Sequence, residues 1–258
     1  MKRLARWSLT PWITLALVAS IPTDSAAESP EQIFDRGNAA YEQQDYAEAA
    51  EAYRTVLRYG IEDPRVEYNL ANAEFRLGRL GSAILHYERA RRLDPVDPDI
   101  RDNLEFARTF CYDQVISPEG TALLRWLHGW QDRLGPDRQA WATLGLGWVI
   151  CAVVAWGLAK PGRWSPAIGW FFASVLLVTS LAAWSWHATY QRLEATPLAV
   201  VLASSAEVLA GPGGNNPTLF VVHEGLTVEV RDVREEWIQV ALPNGLNGWL
   251  PRDRAGLV

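Results

Sequence analysis

Lysine is nearly missing from this sequence. Only Lys2 and Lys160 stand among 24 basic residues, so the positive charge is almost all arginine. The formal net charge is −6. Phosphate backbones are held by a basic face, so this balance argues against nucleic acid as a partner. Cysteine is equally scarce: Cys111 lies in a polar segment and Cys151 well beyond it in an apolar run. A disulfide needs Cα atoms within about 7 Å, and metal or redox motifs need paired cysteines, so each is assigned a packing role. The four histidines, His86, His128, His187 and His223, are scattered, with His86 read onto an exposed helix. The sequence has no HExxH, no GxSxG and no P-loop. Carboxylate pairs such as Glu235–Glu236 and Asp94/Asp97 read as turn and cap residues. The expectation is a protein that is not an enzyme, with no catalytic residue, no cofactor and no metal.

Tryptophan is abundant. Nine of 13 fall between Trp126 and Trp186, and they mark a membrane region. Residues 138–160 and 165–187 each supply about 20 apolar positions, which at ~1.5 Å rise span a ~30 Å hydrocarbon layer. Trp141, Trp164, Trp184 and Trp186 lie near their ends, as an aromatic belt requires. Neither span carries Asp, Glu, Lys or Arg in its middle, which argues against transport or proton relay. The loop 161–164 comes after Lys160 and contains Arg163, so the positive-inside rule places it in the cytoplasm. Residues 1–27 have a basic start, a short apolar stretch and small residues before Ala27, the layout of a secretory signal. Whether cleaved or kept as an anchor, it sends the next segment of the chain across the membrane. Both soluble parts are therefore expected in the periplasm of an inner-membrane protein. In 114–137, Leu123, Leu127, Trp130 and Leu134 recur at helical spacing, which suits an interfacial amphipathic segment or one packed under the preceding domain.

Residues 28–113 repeat with period 34: Asn38 falls on Asn72, Ala49 on Ala83 and Tyr53 on Tyr87. The stretch "YNLANAEFRLGRLGSAILHYERARRLDP" carries the pattern best, and Gln44 stands where the second repeat has Gly78. Spacing and residue types resemble the tetratricopeptide repeat (TPR), whose helix pairs stack because no single repeat buries its own apolar face. About two repeats plus a capping helix, "DPDIRDNLEFARTF", are expected. The resemblance implies a concave protein-binding groove presenting Phe34, Asn38, Tyr41, Tyr68, Asn72, Phe75 and Arg76. Asn38 and Asn72 equally suit bonds inside the stack. Asn38 and Asn69 match a carboxylate clamp of the family, but Phe34 and Asp99 stand where that clamp has basic residues. The segment has 18 acidic and 11 basic residues, net −7, read as a solvated face.

After a linker at 188–197, residues 198–258 are rich in β-branched residues and turns. Strands are expected near 198–203, 206–210, 218–222, 226–233, 236–242 and 246–251. "GPGG" precedes no helix and is not read as a phosphate loop. The order "EVLAGP", "EEWIQVAL", "NGWLP" resembles a bacterial SH3-type (SH3b) domain. Trp237 and Trp249 are its candidate peptide- or ligand-binding residues, with Trp249 better suited to the core and Trp237 to contact.

The fold class is thus a multi-domain α plus β membrane protein: an α-helical TPR solenoid, a transmembrane helical hairpin and a C-terminal SH3-like β barrel. The order of parts resembles the aerotolerance (Bat) operon family. That resemblance implies a scaffold for other membrane proteins, among them von Willebrand A-domain proteins. The alternative is a cell-wall anchor gripping peptidoglycan through the SH3b domain.

Overall fold

The computed structural model describes residues 28–113, 122–159, 166–194 and 197–258. The signal segment 1–27, the loop 161–164 and residues 114–121 of the amphipathic segment lie outside the described residues.

Five helices form the N-terminal unit: α1 (Pro30–Glu42), α2 (Tyr46–Arg58), α3 (Pro64–Arg76), α4 (Leu80–Leu93) and α5 (Pro98–Arg108). Their starts are written locally. Ser29 and Gln32 form a reciprocal capping box on α1. Asp45, Asp63 and Asp97 cap α2, α3 and α5 through backbone N–H groups at 2.8–3.3 Å. Helices pair as α1 with α2 and α3 with α4, and α5 closes the stack. Ala49 and Ala83 are fully buried at the helix contacts, and the Tyr53 and Tyr87 rings fill the space beside them. The turn before each second helix needs a left-handed residue. Gly78 supplies it in the second repeat at φ 74°, and Gln44 is held there in the first at φ 65°, a strain of order 1–2 kcal/mol. One expectation is corrected: His86 is buried, its Nδ1 2.6 Å from Glu67 Oε2 on the facing helix. A polar residue on the inner side of α4 reads as exposed until its partner is known.

Next come two long helices, α6 (Ala122–Ala159) and α7 (Pro166–Glu194), packed against each other. Asp137–Trp156 and Gly169–Ala188 are long and apolar enough to cross a membrane, and their windows are almost wholly unburied in the protein. Trp141, Trp148, Trp170 and Trp184 all face outward. α6 is broken at Gly135 (φ 66°, ψ 160°), where a Cβ would press on Val96 of the α4–α5 loop. The break separates the helical backbone of 122–134 from the span.

The C-terminal unit is a seven-stranded antiparallel sheet in the order β3-β2-β6-β5-β4-β1-β7. The strands are β1 (Leu198–Val201), β2 (Ser205–Leu209), β3 (Thr218–His223), β4 (Thr227–Arg234), β5 (Trp237–Ala241), β6 (Asn247–Pro251) and β7 (Ala255–Leu257). A single 3-10 turn, Arg252–Arg254, joins the last two. The expected closed barrel is not formed by the pairing, because end strands β3 and β7 do not pair. Register shifts at Val208/Leu209 and Val230/Asp232 bend the sheet. Inward residues of six strands then meet in one core that includes Val201, Val208, Val222, Val228, Ile238, Val240 and Leu250. Fully burying each such side chain contributes about 1.5–3 kcal/mol. A further buried cluster joins the repeat unit to the sheet: Ala83, Ile84, Leu85, Leu104 and Cys111 share it with Val200, and Val258 packs on its edge.

Candidate functional site

The first helix of each repeat, α1 and then α3, carries the residues assigned to the groove, and α5 continues the row. The structure divides them into two kinds. Asn38 Oδ1 accepts from Tyr53 Oη at 2.8 Å and from Asn69 Nδ2 at 3.1 Å. Asn72 Oδ1 accepts from Tyr87 Oη at 2.5 Å. Tyr68 Oη accepts from Asn103 Nδ2 at 2.5 Å, and its ring lies 6.0 Å from that of Tyr87. These side chains are engaged within the stack, and the Asn38–Asn69 bond ties the two asparagines that match the carboxylate clamp to each other.

The second kind is aromatic. Phe34 lies 5.8 Å from Tyr53, with the Arg65 guanidinium 5.9 Å from its ring. Tyr41 meets Tyr46 edge-on at 5.2 Å, and Arg76 stacks over Tyr46 at 4.7 Å, a cation–π contact worth about 0.5–1 kcal/mol at such a site. Phe75 ends the row against Phe106 and Phe110 at 5.8 and 5.5 Å, and those two rings meet at 5.2 Å. Phe106 and Phe110 are each more than half exposed, at 55% and 57%. Sequence reasoning missed them, although the signal was present: Phe106 stands 34 residues after Asn72, itself 34 after Asn38. The capping helix was read for stacking and not for the face it continues.

The two tryptophans lie on neighbouring strands. Trp237 pairs with Pro251 in the ladder, and Trp249 pairs with Gln239. Alternation puts both tryptophans on the face away from Ile238, Val240 and Leu250. Trp249 is nonetheless buried, with the Arg234 guanidinium 4.9 Å from its ring. Its burial is therefore not membership of the sheet's main core: Arg234 lies over a tryptophan on the opposite face. Trp237 is half-buried and opens on a cleft of about 560 Å³ with Glu235, Glu236, Pro251, Arg252 and Asp253. One aromatic wall and three carboxylates against one guanidinium suit a cationic or amine-bearing ligand better than an anionic one.

Residues 34–98 match the tetratricopeptide repeat family. No curated protein matches the chain. The repeat region is thus of a kind that mediates protein–protein interaction. Beyond it lie two helices of membrane-spanning length and a C-terminal antiparallel sheet.

Proposed function

We propose that this chain is a non-enzymatic scaffold of the inner membrane, BatE-like in its order of parts. In this reading the TPR unit and the SH3b-like sheet stand in the periplasm and hold protein partners of a Bat-type envelope assembly. The observation that carries the reading is the aromatic cluster at the end of the first-helix face, where the exposed Phe106 and Phe110 rings meet the half-buried Phe75. Solvent-exposed rings in mutual contact are a ready anchor for apolar side chains of a partner, because aromatic anchors dominate interface energetics. The partners this reading names are membrane proteins with von Willebrand A domains. Crosslinking in native membranes, with subsequent affinity capture, tests it. Those proteins should be recovered with the parent chain and lost, or reduced at least about tenfold, with Phe106→Ala/Phe110→Ala, a loss of ~1.4 kcal/mol or more. Undiminished recovery sinks the role of the cluster; recovery of none of them with the parent sinks the assembly.

A second reading has its own observation. The Trp237 cleft, with Glu235, Glu236 and Asp253 around it, suits the amine groups of peptidoglycan stem peptides, which makes the sheet a cell-wall anchor. Sedimentation of the chain with purified cell wall, abolished by Trp237→Ala, is the result it requires.

A further inference from the structure

Helix α4 is unfinished without the sheet. Among the five helices of the repeat unit, the other four carry their own side-chain N-cap, but the N-cap of α4 is Arg79, which makes no capping bond. An orphan N–H in the first turn needs an acceptor. The acceptor is Glu224, in the β3–β4 turn and 143 residues on, whose Oε1 takes the Gly81 N–H at 2.8 Å. The carboxylate also sits at the positive end of the helix dipole.

The rest of the contact runs down the length of α4. A Cβ on Gly81 would lie 2.7 Å from the Val201 carbonyl oxygen, and one on Gly256 would collide with Leu85. Glycine on each side thus lets the helix and β1/β7 approach to backbone distance. Arg89 donates through Nη2 and Nε to the Leu257 carbonyl at 2.6 and 3.2 Å, and Arg92 donates to that of Val258 at 2.9 Å. Past the end of α5, Asp113 accepts from the His223 backbone N–H at 2.6 Å and lies 3.0 Å from its Nδ1. Between these polar ends Ile84, Leu85, Cys111 and Val200 are buried together. A repeat stack needs its terminal faces covered, and among the described residues no second helix pairs with α5. The sheet covers α4 in its place.

We propose that the α4 face is a built-in docking surface for the chain's own sheet domain, so that the two soluble units form one clasped body. The membrane hairpin is then an excursion from that body, and it leaves and returns on one face of the membrane. This consequence, unlike the clasp, rests on the reading of α6 and α7 as membrane spans.

The test uses the full chain in native membranes, with Cys111→Ser and Cys151→Ser as background. The pair Leu85→Cys/Gly256→Cys should form an intramolecular disulfide under mild oxidation, read as a mobility shift without reductant. Separately, Asp45→Cys and Asn244→Cys should label with an impermeant maleimide from the same side. Same-side labelling without the disulfide overturns the clasp and leaves the hairpin standing. Labelling from opposite sides overturns both. Because a paired variant can alter packing, the native Cys111 thiol gives an independent reading. Buried against Ile84 and Gly225, it should alkylate more than about tenfold slower than in denaturant, since reaction waits on opening. Glu224→Ala should speed it. Labelling of Cys111 in the folded parent as fast as in denaturant overturns the clasp.

Discussion

Tyr53 and Tyr87 stand 34 residues apart and do the same work: each ring fills the gap beside a buried alanine, and each hydroxyl donates to an asparagine on the preceding helix. Burial disfavours the phenolate, so both hydroxyls titrate late. The Tyr53 pKa is pushed up to about 12 by loss of hydration, with the nearby Tyr41 adding to it, and that of Tyr87 is raised by burial and then by Tyr68. A raised folded-state pKa means that stability is fully present below the ordinary tyrosine value near 10 and falls as pH climbs toward the folded value. The repeat unit should therefore hold up to about pH 10 and lose stability between there and about pH 12. Ultraviolet titration should show two tyrosines ionising only as circular dichroism reports unfolding; completion of tyrosine ionisation in the still-folded protein contradicts the buried pair. At this scale the sequence was half legible. The period marked Tyr53 and Tyr87 as packing residues. It left Asn38 and Asn72 balanced between groove and stack, because a side-chain amide serves either until its neighbour is in place.

Between elements, the repeat hides a reversal. Arg54 on α2 binds the fully buried Glu74 on α3. One period later the positions are exchanged in charge: Glu88 on α4, also fully buried, binds Arg108 on α5. Positions 54 and 88 are 34 apart, as are 74 and 108, so each interface between repeats carries one ion pair of opposite polarity to the other. Arg79 and Arg91 add second bonds to the two carboxylates, at 3.3 and 2.9 Å. Breaking such a pair leaves a buried carboxylate short of a donor. Arg54→Glu is expected to destabilise the first interface by about 2 kcal/mol or more, discounted for the part-exposed arginine. Arg54→Glu/Glu74→Arg, which copies the polarity of the second interface, should recover most of that loss. Amide hydrogen exchange in α2 and α3 reads both outcomes: about 30-fold faster in the single variant, near the parent in the double. Equal acceleration in both refutes the interchangeability. Element boundaries were legible wherever caps were local, as at Ser29, Asp63 and Asp97. The break at Gly135 was not drawn from the sequence, although Pro136 follows it and turns the residue ahead of it away from helical backbone. Nor was β7, whose three residues form a strand only because β1 lies beside them.

For the whole molecule, the order of parts was readable because each announces itself by its own period: 34 for the repeats, about 20 apolar positions for each span, alternation for strands. Their mutual arrangement was not, since the decisive bonds join residues 110 to 168 positions apart. The clasp bears on topology in a way that charge counting does not. Lys160 and Arg163 argue which side the short loop takes, while the bonds from α4 to the sheet require residues 28–113 and 197–258 to share a side. The two arguments are independent, and one pair of fusions separates them. Alkaline phosphatase joined after Val258 through a flexible linker should be active, since that enzyme needs the oxidising periplasm, and joined at Gly162 it should be inactive. Activity at Gly162 with inactivity at Val258 would reverse the orientation and leave the clasp intact, because both soluble units would then share the cytoplasm. Equal activity at both sites would deny that the chain crosses between them, and the reading of α7 as a membrane span would fall with it.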